Sequence, residues 1–171
     1  MKLSTKQLTL CAVLTAMALA LSYLENFFPL SLAIPIPGIK LGLANIVTLS
    51  ALYALGPGQA LLILAARCLL GAVFAGHLNA LIFSLLGGVT AMLVMIGLSR
   101  VRALSVYGVS VGGAAAHSCG QVAAAVLTLG NTAPLYYLPV LLGVSLFTGA
   151  LTGLITACLL RALGHTKLWE V

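Results

Sequence analysis

The chain contains no aspartate, and its only carboxylate side chains are Glu25 and Glu170. Diphosphate chemistry of the prenyl-transfer kind needs clustered carboxylates to hold Mg²⁺, and no such cluster can be assembled here. There is no Walker A loop, GxSxG elbow, HExxH pair or glycine-rich dinucleotide fingerprint, so the chain cannot hydrolyse ATP by itself. Its four cysteines, Cys11, Cys68, Cys119 and Cys158, are widely separated inside apolar stretches. Without CxxC or Cys/His ligand spacing they indicate neither a disulfide frame nor a zinc site. Charge of either sign is scarce: 6% of the 171 residues are charged. A soluble domain carries about a quarter, so water is not the main solvent of this one. The expectation is no catalytic residues, no cofactor and no metal.

What is present is apolar length. The chain is 62% hydrophobic, with a mean hydropathy of +1.21. A helix crossing the hydrocarbon core needs about 20 apolar residues, which leaves room for five to seven spans and short connections. Breaks at Gly, Pro, Asn and charge predict six spans, at about Leu8–Phe28, Leu41–Leu55, Gln59–Ala75, Ala80–Leu98, Leu104–Leu129 and Tyr136–Leu163. The fold class expected is all-α: one integral membrane bundle of about six transmembrane helices over 1–171, with no soluble domain of its own. The first stretch is too long for a signal h-region and ends in aromatics and Pro29, so it reads as a retained span. Spans two and three are short, which predicts tilt, a kink or partial re-entry in one of them.

The net charge of +6 does not point to nucleic acid, because the basic residues sit at helix ends. An even number of spans puts both termini on one side, together with Lys2, Lys6, Arg100, Arg102, Arg161 and Lys167. Only Lys40 falls opposite. Positive residues mark the cytoplasmic side, so the protein is expected to be a multi-pass cell-membrane protein with both termini cytoplasmic. Tyr136, Tyr137 and Trp169 fall at predicted interfaces.

Small residues recur every fourth position: Ala12, Ala16 and Ala20 in span one, Gly108, Gly112, Ala116, Gly120 and Ala124 in span five, Gly149 and Gly153 in span six. In lipid such stripes let backbones approach closely, either inside the bundle or against another membrane protein. No internal repeat is evident.

Polar groups inside spans are costly and face the interior or a cavity. Arg67 lies mid-span. Its guanidinium cannot shed its charge, so it is either a ligand contact or a structural partner of Glu25 or of helix-end carbonyls. His117 and Gln121, four apart, share a face of span five, with Thr128 near the same line. His117 is a proton relay, a hydrogen-bonding ligand, or a histidine satisfied by a neighbour. In the segment 37–45, Pro-Gly-Ile-Lys-Leu-Gly-Leu-Ala-Asn, Lys40 stands at a helix start and Asn45 about one turn inside. A helix N-terminus attracts anions, and the ammonium strengthens that; the alternative is a snorkelling lysine with a packing asparagine. Asn79 either reaches a cavity from the outer end of span four or caps it.

The segment 37–47, together with Ala116-His117-Ser118-Cys119-Gly120-Gln121, resembles the Gx transporter family, a small bacterial family often labelled heptaprenyl diphosphate synthase component I. The resemblance covers nearly the whole chain. The six-span plan is also similar to the S components of energy-coupling factor transporters, which bind vitamins or related small molecules and dock on a transmembrane T component driven by two ATPases. Their docking motif, Ala-x-x-x-Ala on the first helix, is matched by Ala12, Ala16 and Ala20. The resemblance implies capture of a small-molecule substrate from outside, with the proline-bearing loop 29–37 as a gate. Lys40, Asn45, Arg67, Asn79, His117 and Gln121 would supply the contacts. Two cations against one outer-side carboxylate point to a molecule that is anionic or has an electron-rich head, and the resemblance implies a vitamin- or isoprenoid-related one. The implied partners are this substrate, membrane lipid and a T component with its ATPases, and no nucleic acid. Two alternatives stay open: a solitary transporter coupling protons through His117 or Glu25, and a non-catalytic membrane partner of a synthase.

Overall fold

The structure, a computed structural model, describes residues 4–25, 42–76 and 78–164. Among these the chain is a bundle of six α-helices: α1 (Thr5–Glu25), α2 (Leu43–Ala54), α3 (Pro57–Ala75), α4 (Leu78–Ser99), α5 (Val106–Leu129) and α6 (Leu138–Gly164), with a 3₁₀ turn at Ala133–Tyr137 before α6. A helix stands at each of the six expected spans, although the second, of twelve residues, is too short to cross. Lys2, Lys40, the loop 29–37, Lys167 and Trp169 lie outside the described residues.

Local chemistry sets the boundaries. α2 starts after Gly42, at φ 76, a backbone region that side-chain-bearing residues rarely adopt. Pro57 opens α3, and the helix stops at Gly76, whose N–H donates to Ala72 O. Ser105 caps α5, its hydroxyl accepting from the N–H of Gly108, and Gly130 closes the helix.

Four helical stretches, Thr5–Glu25, Pro57–Ala75, Leu78–Ser99 and Ala133–Ala162, are long and apolar enough to cross a membrane. Their outward faces carry leucines, valines and aromatics such as Phe74 and Phe147, as lipid contact requires. α2 differs. Twelve residues span only about 18 Å, short of the hydrocarbon core, and eight of the twelve are buried. α2 is therefore an interior helix, packed against α1, α3 and α6. Its buried faces are met by protein rather than lipid, as backbone that does not cross the bilayer requires.

The helices form two groups, α1–α2–α3 and α4–α5–α6, joined through α3 against α4 and α2 against α6. Ile63, Leu64, Met92, Met95, Leu49 and Val109 fill the core between them. α5 lies between α4 and α6, and here the small-residue stripes are internal. A Cβ on Gly120 would meet Thr90 Oγ1, Leu86 O at 2.5 Å and the Cα of Gly87 at 2.9 Å. On α6, Gly149 lets the Cα of Val111 come within 2.7 Å of the same imagined atom. Thr90 seals the α4–α5 seam by donating to Ala116 O at 3.0 Å. The α1 stripe is different: Ala12, Ala16 and Ala20 are exposed, whereas Cys11, Leu14, Thr15 and Ala18 face inward.

Tyr53 at the end of α2, Ser105 at the start of α5 and Arg161 near the end of α6 line one recess. These helix ends therefore share one end of the bundle, beside the exposed Arg100 and Arg102.

The α4–α5 contact yields a stability test with its own control. Gly120→Ala places a methyl against backbone and should cost about 1–3 kcal/mol, lowering the melting temperature in detergent by several degrees. Gly143 has nothing within 4 Å of its imagined Cβ, so Gly143→Ala should be neutral or slightly stabilising. Equal effects at the two positions would show that the close contact does not hold α4 to α5.

Candidate functional site

A small cavity of about 30 Å³ lies between α2, α5 and α6. On α5 its wall is built from Ser110, His117, Ser118 and Gln121, and on α6 from Ser145, Thr148 and Thr152. Each set follows helical spacing, so one face of each helix is polar toward the other. Asn45, in the first turn of α2, completes the polar lining, and Leu49, Met95, Leu141 and Val144 supply apolar surface.

The hydroxyls are partly committed. Ser145 donates to Leu142 O at 2.7 Å and Thr152 to Thr148 O at 2.9 Å, the usual bond to the preceding turn. Ser110 and Thr152 also bond each other across the α5–α6 seam at 2.9 Å. Their remaining lone pairs, with the amides of Asn45 and Gln121 and the His117 imidazole, give a lining of mixed donors and acceptors.

His117 and Gln121 are set by α4. A Cβ on Gly87 would stand 2.9 Å from Gln121 Cγ and 2.9 Å from His117 Cε1. Gly88, the next residue, faces α3 instead: its imagined Cβ lies 2.8 Å from Leu64 Cδ1 and 3.7 Å from Arg67 Nη2. The two glycines let α5 and α3 approach the same turn of α4 from different sides. Arg67 and His117 consequently lie at the same level of the bundle.

Arg67 does not line the cavity itself. Its Nη2 donates to Asn45 Oδ1 at 3.3 Å, so it stands behind the asparagine that does. Its Nε is buried and has no hydrogen-bond partner among the described residues. Asn45 in turn closes the α2 start, donating its backbone N–H to Gly42 O at 2.8 Å. The N–H of Gly42 donates to the carboxylate of Glu25, which is only 7% exposed and within electrostatic reach of Arg67. The anion at the N-terminus of α2 is thus the chain's own. Carboxylate, helix terminus, amide and guanidinium form one connected polar group that joins α1, α2 and α3.

Of the residues singled out from sequence, Asn45, His117 and Gln121 meet at the cavity and Arg67 reaches it through Asn45. Asn79 is exposed on the first turn of α4 and lies apart from it, as does Thr128. Lys40 falls outside the described residues. Sequence reasoning passed over Ser110, Ser145, Thr148 and Thr152. Their spacing was a signal, but isolated hydroxyls in apolar helices ordinarily do no more than bond the preceding turn. Among the described residues no group of His, Cys, Asp or Glu could hold a metal ion.

The sequence matches the family described as heptaprenyl diphosphate synthase component I over residues 14–159, a stretch that takes in every cavity residue. No curated protein and no solved structure is significantly similar to the chain.

If Glu25 and Arg67 act as one group, their effects on stability should not add. Glu25→Gln and Arg67→Gln should each cost about 1.5–3 kcal/mol through a lost charge-assisted bond or an uncompensated charge. The double variant should fall short of the sum by about 1 kcal/mol, read from melting curves in one detergent. Additivity would show the two charges to be independent.

Proposed function

The chain belongs to the heptaprenyl diphosphate synthase component I family, and on that footing we propose that it is a substrate-binding subunit of a membrane transport system. The observation that carries this is the cavity: a space within an apolar bundle, walled in part by hydrogen-bonding side chains from three helices. Polar lining at membrane depth is expensive unless it serves a ligand or a path, and a concave apolar site with a few convergent polar groups is the ordinary form of a small-molecule site.

The ligand is a small molecule with an electron-rich head. Arg67 lies one residue behind the wall, and Glu25 balances its charge, so the site disfavours a cation without demanding a full negative charge. Asn45, His117 and Gln121 make the contacts. Entry is from the side opposite Arg100, Arg102 and Arg161, with both termini cytoplasmic by the positive-inside rule. The exposed alanine stripe on α1 supports docking on a T component that carries the ATPases this chain lacks, because its small faces are not used inside the bundle.

A second reading follows from the family description itself: a membrane component that associates with a prenyl diphosphate synthase and contributes no catalytic group. The absence of aspartate fits that role equally well.

Purification of a tagged copy from native membranes separates the two. Recovery of a T component with its ATPases is expected, and Ala16→Trp should reduce it at least tenfold while leaving insertion unchanged, because a ring cannot enter where backbones must touch. Recovery of a soluble synthase in their place, or full recovery of the ATPases with Ala16→Trp, would contradict the proposal.

A further inference from the structure

Arg67 and Asn45 together fix which end of an amide faces the cavity. A guanidinium has five N–H donors and no acceptor, so the atom of Asn45 that meets Arg67 Nη2 at 3.3 Å has to be the carbonyl oxygen. The side-chain NH₂ is then the end left over. No described group accepts from it, the residue is part of the cavity wall, and Gly42, 3.3 Å from Nδ2 to its imagined Cβ, leaves no side chain to cover it. Glu25 contributes from behind: its bond to Gly42 holds the turn that carries Asn45.

We infer that Arg67 is a positioning residue that locks Asn45 as a hydrogen-bond donor, so that the cavity selects molecules presenting a carbonyl, carboxylate or phosphoryl oxygen to this wall. The inference rests on the proposed function of the cavity and adds the polarity of one of its contacts. An amide free to turn would accept from a donor as readily as it donates to an acceptor. Tied to a donor-only partner, it discriminates between them. The opposite wall, with its hydroxyls and the Gln121 amide, carries no such constraint and accommodates either kind of group.

Three planar probes of nearly one shape test this: acetate and acetone, which only accept, and acetamidinium, which only donates. The reporter is a cysteine at Ser118→Cys, in the cavity wall, with the four native cysteines replaced, and the readout is the rate of its alkylation by N-ethylmaleimide in the full-length protein. Acetate and acetone should slow alkylation and acetamidinium should not. Asn45→Asp keeps an oxygen for Arg67 and removes the NH₂. It should weaken protection by acetone about three- to tenfold, the loss of one hydrogen bond, and allow acetamidinium to protect. Acetone is uncharged, so that loss is not repulsion by the new carboxylate. Arg67→Met frees the amide to turn and should bring the acetone and acetamidinium effects toward equality, which a merely structural arginine would not do. Protection by acetamidinium equal to that by acetone in the parent protein, or acetone protection unchanged by Asn45→Asp, overturns the inference and leaves the small-molecule site standing. A cysteine at 118 that is never alkylated, or that no probe protects, overturns the site itself.

Discussion

Arg67 is a fixed positive charge in the middle of an apolar helix, and much of the surrounding structure answers it. Deep in a bilayer such a group needs an anion, carbonyls or water, and lipid offers none of these. The answer comes from α2, whose N-terminus stops level with α3 and turns Asn45 toward the guanidinium. A full-length span in that place would present apolar side chains there. The short interior helix, the left-handed Gly42, the carboxylate of Glu25 on the helix terminus and the missing side chain at Gly88 are parts of one solution. Removing any of them leaves a polar group exposed to hydrocarbon or a charge without its neighbour.

The cavity is a by-product of that solution on one side and of helix packing on the other. α4 and α5 approach closely through Gly120 and Gly87, α5 and α6 through Gly149 and Gly153, and those contacts tilt the polar faces of α5 and α6 toward each other. α2 closes the remaining side with Gly42, Asn45 and Leu49. The result is a small gap in which donors and acceptors stand beside apolar surface from Leu49, Met95, Leu141 and Val144, in a protein whose exterior is apolar enough to dissolve in lipid.

Much of this was legible in the sequence, and the rest was not for identifiable reasons. The six spans follow from glycine, proline and charge breaks, and the shortness of the second announced an unusual helix. Arg67, His117 and Gln121 stood out because they are expensive. The three small-residue stripes have the same spacing, yet those on α5 and α6 are internal while Ala12, Ala16 and Ala20 face outward; spacing defines a face, and only tertiary packing says what covers it. Likewise, the helix start near Lys40 was recognisable as an anion seat, but its occupant, Glu25, is 17 residues before Gly42, across a connection whose prolines do not say that the carboxylate returns to the helix start. The hydroxyls of α5 and α6 were invisible singly because serine and threonine satisfy themselves within a helix. They become a wall only when two such helices face each other.

The central claim is that this space holds a small molecule. Native mass spectrometry of the protein released directly from its own membranes tests it most directly. The account predicts a stoichiometric non-lipid adduct on the wild-type chain that is lost from Gln121→Leu, a variant that leaves the Glu25–Gly42–Asn45–Arg67 group untouched. A wild-type chain that is bare, or that carries only phospholipid, would contradict it.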